Sequence, residues 1–269
     1  MIRAEKRRQK PKPEIIEVDA ANFDALPCCG IKAPTHVGRQ EKRRWLQDNA
    51  KLGVRAKMLL TNGGEPCGYI ESMPGENAWR GVDAAGYLFI QCVWVPSKWQ
   101  GKGWGSLLLK DCVEDARKFD KRGVATMVRE GPWMPDRRLF VANGFQSVDK
   151  VPPDCELLVK KLKSRSPDPA FRKGWEDRSG QYGEGLTLLR AAQCPHIAKF
   201  VADIAEASEK RYKMKLNVVE LRSPRDAQNA PSPYAVFSLV YNGKLLADHP
   251  ISRTRFCNIM NKVTKRTGC

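Results

Sequence analysis

A glycine-rich turn contains the residues whose types and spacing point most directly to chemistry. A β-branched and aromatic run, Leu88 to Val95, stops at Pro96 before this turn, and a helical run, Ser106 to Phe119, follows it. Glycines let the backbone approach a ligand, while the unpaired N–H groups and the dipole at a helix start attract negative charge. We therefore predict that the turn cradles an anion, and a diphosphate fits such a cradle. The turn reads Gln100-Gly101-Lys102-Gly103-Trp104-Gly105.

The spacing of this turn distinguishes it from other phosphate-binding loops. No Gly-Lys-Ser/Thr closes it after four intervening residues, as a P-loop requires, and it does not fit G-x-G-x-x-G. Gln100, Gly103 and Gly105 instead fit Q/R-x-x-G-x-G/A, so the turn resembles the pyrophosphate signature of the GNAT acetyltransferase superfamily. A second stretch, LFVANGF from Leu139 to Phe145, resembles the later helix of that superfamily, which ends in a Gly-Phe corner.

Further stretches make the chain similar to one subfamily, whose members join a GNAT domain to a YoaP-like C-terminal domain. The resemblance covers nearly the whole chain beyond the basic first dozen residues. It implies acetyl transfer by fold, without naming an acceptor. The stretches are PCCGI from Pro27, GYIESMPGENAWRGV from Gly68, REGPWM from Arg129 and APSPYAVFSLVYNGKLLADHPISRTRF from Ala230.

The resemblance implies that acetyl-CoA is the cosubstrate. It would lie in a cleft where the strand before the glycine turn and the strand starting at Gly123 splay apart. Backbone groups around Val93 and Val95 would pair with the pantetheine arm, and Lys102 or Arg129 could add charge beside the diphosphate. The residues implied to contact acetyl-CoA are Val93, Trp94, Val95, Gln100, Gly101, Lys102, Gly103, Trp104, Gly105 and Asn143.

Transfer to an amine also needs a base, an oxyanion donor and an acid. Glu71 and Glu76 are the candidate bases, and each could equally be an exposed structural carboxylate. Many relatives place a tyrosine acid where this chain has Phe140, whose ring cannot donate a proton. Tyr69, Tyr87 or water could donate instead, or the thiolate leaves unprotonated, because a thiol pKa of about 8.5 allows it.

Three cysteines are further candidates for chemistry. Cys28 and Cys29 lie before the first helix, where relatives often build the acceptor site. This pair could be buried small hydrophobes, a soft-metal or metalloid site, or an acyl-relay or redox pair. Cys194 starts a helix whose dipole would lower its pKa, but it lacks the partner of a CxxC pair. No second pair of soft ligands is present, so we predict no closed metal site.

These residues require a mixed sheet to position them, and we predict an α/β (α+β) chain. The predicted parts are a basic flexible tail (1–13), a GNAT mixed sheet with flanking helices (14–162), a linker (163–182) and a thioredoxin-like α/β domain (183–269). The linker is polar and interrupted by proline and glycine. In the first domain, the sequence Asn62-Gly63-Gly64 predicts a hairpin.

The C-terminal elements are expected in the order strand, helix, strand, hairpin and helix, as in a thioredoxin-like domain. Apolar residues from Ile197 to Ala205 recur with helical spacing, and Asn242-Gly243 predicts the hairpin turn. Cys194 stands where that fold holds its reactive cysteine, and Pro231 and Pro233 stand where it holds a cis-proline. The alternative is a substrate-binding or dimerisation module that kept the fold without the chemistry.

The composition agrees with a cytoplasmic enzyme. The 269 residues carry a formal charge of +17, and the densest basic run is Arg3 to Lys12. Because zinc-finger spacing, an RNP-like strand and a recognition helix are all missing, we favour a solvated basic surface, including Lys42, Arg43 and Arg44, over nucleic-acid binding. Nine scattered cysteines fit a reducing compartment, and we expect neither a membrane anchor nor a signal peptide.

The predicted function is therefore transfer of an acetyl group from acetyl-CoA to an amine, on a small molecule or on a protein. Two alternatives remain open. One is a thiol- or metalloid-handling protein that uses Cys28, Cys29 and Cys194, and the other is a non-catalytic CoA-binding sensor. The sequence does not name the acceptor or the acyl length, and a homodimer is one open assembly state.

Overall fold

The computed structural model describes residues 13–131 and 133–265. The basic tail predicted at residues 1–13 therefore lies outside the described residues, except for Pro13. No helix in the described ranges is long and apolar enough to cross a membrane. The strands are β1 Glu14–Glu17, β2 Arg55–Leu60, β3 Pro66–Pro74, β4 Val82–Asp83, β5 Leu88–Trp94, β6 Gly123–Val128, β7 Gln146–Val151, β8 Cys155–Lys161, β9 Ala170–Phe171, β10 Leu186–Arg190, β11 Leu216–Glu220, β12 Phe237–Tyr241 and β13 Lys244–Ala247. The α-helices are α1 Val37–Asn49, α2 Trp104–Lys118, α3 Arg137–Ala142, α4 Ile197–Ala207, α5 Pro224–Gln228 and α6 Arg253–Val263.

The larger sheet has seven strands in the order β1-β2-β3-β5-β6-β8-β7. Its neighbouring strands are antiparallel, except for the parallel pair β5 and β6. That pair is joined only where Leu88–Ile90 face Val124–Thr126. Beyond Ile90 the two strands separate, so the backbone of β5 there has no partner on β6. The mixed sheet and the predicted splay of these strands are confirmed.

A β-bulge interrupts the pairing of β3 with β5. Glu71 lies opposite Cys92, whereas the next residue of β3, Ser72, lies opposite Ile90. Gln91 is therefore an extra residue on β5, and a bulge of this kind re-aims side chains that strict alternation would send to the other face.

Alternating apolar residues bury both faces of the larger sheet. Leu88 and Ile90 belong to the apolar cluster beneath α2 and α3, while Phe89 between them belongs to the cluster on the opposite face. This alternation is what a strand covered on both sides requires. The cluster on the opposite face continues into the C-terminal part of the chain, where it includes Leu188 and Phe237.

The smaller sheet has the order β11-β10-β12-β13, with β10 and β11 parallel and the other pairs antiparallel. Helix α4 connects β10 to β11, and α6 follows β13. This agrees with the expected order of elements except for the short helix α5, which lies between β11 and the hairpin, and the thioredoxin-like assignment stays a prediction. Within the described ranges the one cis peptide bond is Pro152–Pro153, so Pro231 and Pro233 do not provide the expected cis-proline.

The predicted linker, 163–182, is more structured than its polar composition indicates. Its strand β9 pairs with β4, which places Phe171 opposite Val82. Phe171 and Trp175 are buried, so part of this segment packs against the rest of the protein. The division into two domains at this segment stays a prediction, because one apolar cluster includes residues from both sheets.

Candidate active site

The glycine turn and the end of β5 form one wall of an open cleft of about 590 Å³, here called the loop cleft. Its other wall comes from residues 134–136 and Leu139. Helix α2 begins at Trp104, and its first residues, Trp104, Gly105 and Ser106, line this space, which gives the cleft the anion-attracting end of a helix. Predicted contact residues that line the loop cleft are Val93, Trp94, Val95, Gln100, Gly101, Gly103, Trp104 and Gly105.

Two glycines of the turn adopt a backbone conformation that disfavours other residues. Gly101 has φ of 75° and Gly103 has φ of 80°, and Gly103 caps the start of α2. Gly105 is needed for a different reason, since a Cβ there would lie 3.0 Å from Leu139 Cδ1. The turn therefore depends on glycine both for its shape and for the packing of α2.

The loop cleft also offers side-chain donors. The indole nitrogens of Trp99 and Trp104 are buried without a hydrogen-bond partner, and both residues line the cleft. Gln100 Nε2 donates to Val95 O at 3.1 Å, which ties the turn to the end of the preceding strand. Unpaired buried N–H groups are costly, so a ligand oxygen that accepts from them would be stabilising.

Three residues implied by sequence to meet acetyl-CoA have other partners. Lys102 is not among the lining residues, and its ammonium lies 4.5 Å from the centre of the Trp99 ring. Asn143 lies outside the loop cleft and donates to Ser106 Oγ at 2.9 Å. Arg129 forms ion pairs with Asp154 and Asp248, both at 2.9 Å, rather than facing the glycine turn.

A second cavity of about 230 Å³, here called the inner cavity, adjoins the loop cleft. The two share Val93, Trp94, Met134 and Pro135 as walls. The inner cavity takes further walls from β3, α1 and the C-terminal part of the chain. Those walls include Cys29, Lys42, Tyr69, Glu71, Arg80, Gln91, Cys92, Gln193, Cys194, Pro195, His196 and Tyr234.

Glu71 is the centre of a buried polar network in the inner cavity. Its Oε2 accepts from Tyr69 Oη at 2.7 Å and from the ammonium of Lys42, and its Oε1 accepts from Gln193 Nε2 at 2.8 Å. Lys42 Nζ also donates to Gln193 O at 2.6 Å and lies 4.2 Å from the centre of the Trp45 ring. Glu71 and Lys42 are both fully buried, so this carboxylate has only protein partners or a cavity ligand.

The network determines the protonation of Lys42 and Tyr69. Burial opposes the charged form of Lys42, but the Glu71 carboxylate outweighs it, and the pKa of Lys42 is raised. Burial first, and the Glu71 charge second, raise the pKa of Tyr69 well above its ordinary value. At neutral pH the cavity therefore contains an ammonium at Lys42 and a neutral phenol at Tyr69, which keeps a proton to donate.

Sequence reasoning missed most partners of Glu71. Lys42 was predicted to be part of a solvated basic surface, and this is wrong because its side chain is 1% exposed. Gln193 is 122 residues from Glu71 along the chain, and no local pattern indicates their contact. A lysine among the polar residues of α1 could have been recognised only from its position on the face of the helix that packs inward.

Other residues considered for chemistry lie elsewhere. Glu76 is 48% exposed, accepts from the Gly86 N–H at 3.3 Å, and is not among the lining residues of either cavity. Tyr87 donates to Pro167 O at 2.8 Å and lies outside both cavities. Phe140 is buried in the core, with its ring 5.2 Å from that of Phe145.

The cysteines approach the inner cavity from several elements. Cys29 and Cys194 line it, whereas Cys28 is buried behind it. Burial raises the pKa of Cys194 to about 12, which corrects the prediction of a helix-activated thiol. Helix α4 begins three residues after Cys194, at Ile197, so its dipole acts on this thiol only weakly. In the described part of the chain, no group of His, Cys, Asp and Glu side chains could hold a metal ion.

Comparisons with known proteins find one family that matches the N-terminal part of the chain and another that matches the C-terminal part. The family described as "Acetyltransferase (GNAT) family" matches residues 21–145, and the "YoaP-like" family matches residues 215–258. A Bacillus subtilis (strain 168) protein named "Uncharacterized N-acetyltransferase YoaP" is 26% identical over 258 residues, which cover 91% of this chain and 98% of that protein.

Solved structures are similar to part of the chain. An acetyltransferase from Thermus thermophilus is 22% identical, with a TM-score of 0.41, over 56% of this chain and 97% of that one. The PaiA N-acetyltransferase from Thermoplasma acidophilum, solved in complex with coenzyme A, is 13% identical, with a TM-score of 0.43, over 56% of this chain and 99% of that one.

Proposed function

We propose that this chain, which belongs to the GNAT acetyltransferases and carries a YoaP-like C-terminal domain, transfers the acetyl group of acetyl-CoA to an amine in the inner cavity. Acetyl-CoA is the cosubstrate of this family. The observation that carries the proposal is the adjacency of the two cavities, which share Val93, Trp94, Met134 and Pro135. A thioester that ends at this shared wall meets a nucleophile held beside Glu71.

The loop cleft would bind the cosubstrate. The N–H groups of the glycine turn, the start of α2 and the indoles of Trp99 and Trp104 would donate to the diphosphate. The edge of β5 beyond Ile90 that has no partner on β6 would pair with the pantetheine arm, and one of its N–H groups would donate to the thioester oxygen. Fixed donors at that oxygen stabilise the negative charge that develops there during transfer.

Glu71 and Tyr69 would move the protons. The amine nitrogen attacks the thioester carbon, the C–S bond breaks, and the nitrogen loses a proton to the Glu71 carboxylate. The Tyr69 phenol donates its proton to the departing thiolate of coenzyme A. Glu71 then returns a proton to Tyr69 through their 2.7 Å hydrogen bond, which restores both groups. Lys42 supports this relay by donating a hydrogen bond from its ammonium to Glu71 Oε2.

The C-terminal part would complete the acceptor site. Gln193 orients Glu71 through its amide, and Pro195, His196 and Tyr234 close the inner cavity. The eight cysteines in the described ranges are free thiols, so we place the reaction in a reducing compartment such as the cytoplasm.

Substitution of the two predicted carboxylates tests the base. Glu71→Gln keeps the shape of the side chain but removes the proton acceptor, and we expect kcat to fall by about 100-fold or more. Acetyl-CoA affinity, measured by calorimetry, should not change. Glu76→Gln is the matched control and should keep wild-type activity. Turnover of Glu71→Gln within a few-fold of the wild type would contradict the role of Glu71.

The pH profile tests the acid. Because the pKa of Tyr69 is raised well above about 10 by burial and by Glu71, its phenol stays protonated throughout the assay range. We expect kcat to show no alkaline decline up to about pH 10, and Tyr69→Phe to lower the plateau about 10-fold or more without adding a decline. An alkaline decline in the wild type that Tyr69→Phe removes would contradict a phenol with a raised pKa.

A further inference from the structure

Arg80 is a buried cation that faces the inner cavity without a carboxylate partner. Its side chain donates to Trp79 O at 2.8 Å and to Gln91 O at 3.2 Å, and its guanidinium lies 5.0 Å from the centre of the Tyr234 ring. Arg80 is 3% exposed, and it forms no ion pair within the ranges that the structure describes. A guanidinium keeps its charge at all ordinary pH values, and a buried unpaired charge is costly.

Other buried cations of this chain are compensated. Lys42 pairs with Glu71, Arg129 with two aspartates, and Arg190 with Glu41 and Glu220. Arg39, which also lacks an ion pair, instead donates to four backbone carbonyls and does not line the inner cavity. Arg80 has two carbonyl partners and an open side, so its remaining donors are available to a ligand.

Gln91 supplies a second, independent feature in the same cavity. Its side-chain amide is buried, and neither Nε2 nor Oε1 has a hydrogen-bond partner. Gln91 is the extra residue of the β-bulge opposite Glu71 and Ser72, and it lines the inner cavity beside Cys92. A buried amide without partners is destabilising, which indicates that a ligand completes its hydrogen bonds.

We infer that the acceptor is a small amino-acid-like molecule, whose carboxylate accepts hydrogen bonds from Arg80 and from Gln91 Nε2 while its amine faces Glu71. This inference rests on the proposed function. Lys42 and Glu71 cancel in charge, so Arg80 leaves the cavity with one net positive charge, which a carboxylate neutralises. The planar guanidinium fork matches the two oxygens of a carboxylate.

The size and walls of the cavity favour a free molecule over a protein. Its volume of about 230 Å³ is below the usual range of pockets for drug-sized ligands. A lysine side chain on a protein would bring an amine to Glu71 but no carboxylate for Arg80. The acceptor is therefore expected to carry both groups within a few bonds of each other.

Paired acceptors test this inference on the full chain. A panel of amino acids is compared with their α-amides, which have the same amine and lack the negative charge, and with a lysine-containing peptide. We expect kcat/KM for the best amino acid to exceed that of its amide by about 100-fold, because a buried charged partner is lost. Arg80→Gln should remove this preference, mainly through KM, whereas Arg43→Gln, at a half-buried arginine outside the cavity, should retain it.

Gln91→Leu provides a second test of the carboxylate site, which can be used if Arg80→Gln does not fold. Removing an unpaired buried amide should leave the thermal midpoint unchanged or higher, while kcat/KM for the amino acid falls about 10-fold. Acetyl-CoA affinity should stay at the wild-type value in calorimetry. A lower thermal midpoint with unchanged acceptor kinetics would overturn the role of Gln91, since it would show a structural amide.

Two further outcomes distinguish a failure of the carboxylate inference from a failure of the proposed function. If neutral amides or the lysine peptide are acetylated as well as amino acids, the carboxylate inference is overturned and the proposed transfer to an amine stands. If acetyl-CoA binds but none of the panel, including neutral amines, is acetylated, the proposed function itself is overturned.

Discussion

Three thiols near Glu71 differ in their protonation. A hydrogen bond from the Cys29 thiol lowers the pKa of Cys28, although burial opposes this shift and the charge of Lys42 favours it. The same hydrogen bond raises the pKa of Cys29 well above its ordinary value, and burial raises that of Cys194 to about 12. Cys29 and Cys194, which line the inner cavity together with Cys92, are thus protonated at neutral pH, and protonated thiols are poor nucleophiles.

We therefore predict that transfer does not need a cysteine. A Cys28→Ser, Cys29→Ser, Cys194→Ser variant should keep most of its turnover and lose about 1 kcal/mol of stability per site. Steady-state kinetics and thermal unfolding measure the two effects, with Cys257→Ser, outside both cavities, as the control. A single Cys29→Ser variant that folds and binds acetyl-CoA but does not turn over would favour the thiol mechanism instead.

Single residues could be predicted only where the local pattern carries information. Glu71 was identified as a candidate base from the segment that starts at Gly68, beside the predicted site, and the structure places it inside β3. Gln91 was not, because a glutamine in an apolar strand has no special meaning until the bulge turns it toward the cavity. Arg80 resembled any other basic residue of this highly charged chain, and its burial beside the inner cavity without a carboxylate partner separates it from them.

The glycine turn was predictable as an element because its function depends on neighbouring residues. The end of β5, the glycines and the first turn of α2 are consecutive in sequence, and each has a recognisable preference. The separation of β5 from β6 was instead expected from the family resemblance, because strand pairing is not encoded locally. The strand β9 within the predicted linker was not indicated for a similar reason, since its partner β4 is far away in the chain.

For the glycine turn, we predict that Gly103→Val abolishes tight acetyl-CoA binding. Gly103 has φ of 80°, and a β-branched residue at such an angle strains the backbone by about 1–3 kcal/mol. The matched control is Gly64→Val, at φ of 78° in the turn between β2 and β3, where a Cβ has no neighbour within 4 Å, as at Gly103. Both variants should lose similar stability on heating.

Only Gly103→Val should lose acetyl-CoA affinity, by about 10-fold or more, because strain there displaces the N–H groups that begin α2. Calorimetry on both folded variants makes the comparison. Equal affinity for the two would show that the glycine turn does not hold the cosubstrate.

Helix α1 connects the N-terminal part of the chain to the C-terminal part through direct contacts. Glu41 pairs with Arg190, Lys42 Nζ donates to Gln193 O, and a Cβ at Gly38 would lie 1.8 Å from Pro195 O. Helix α1 therefore packs directly on the segment that follows β10. The sequence indicated two parts joined by a linker, but it did not indicate that their contact forms a cavity.

We predict that Gly38→Ala damages this contact. Alanine is the better helix former, so any loss of stability reports the clash with Pro195, which should cost about 1–3 kcal/mol. Acceptor kcat/KM should fall, while acetyl-CoA affinity stays close to the wild-type value. Thermal unfolding and kinetics check this, with Gly63→Ala as the control, since a Cβ there meets nothing closer than Thr61 Oγ1 at 3.9 Å. An unchanged thermal midpoint in Gly38→Ala would show that Pro195 moves away at no cost in stability, and it would contradict this prediction.

The inner cavity has an evolutionary consequence. The loop cleft is lined by residues 93–139, whereas the inner cavity also draws on residues 193–196 and on Tyr234. With the acceptor in the inner cavity, as we propose, mutations in the C-terminal segment would alter which amine is accepted while the glycine turn stays unchanged. Homologous proteins would then differ in the amine that they accept and keep the same residues for binding acetyl-CoA.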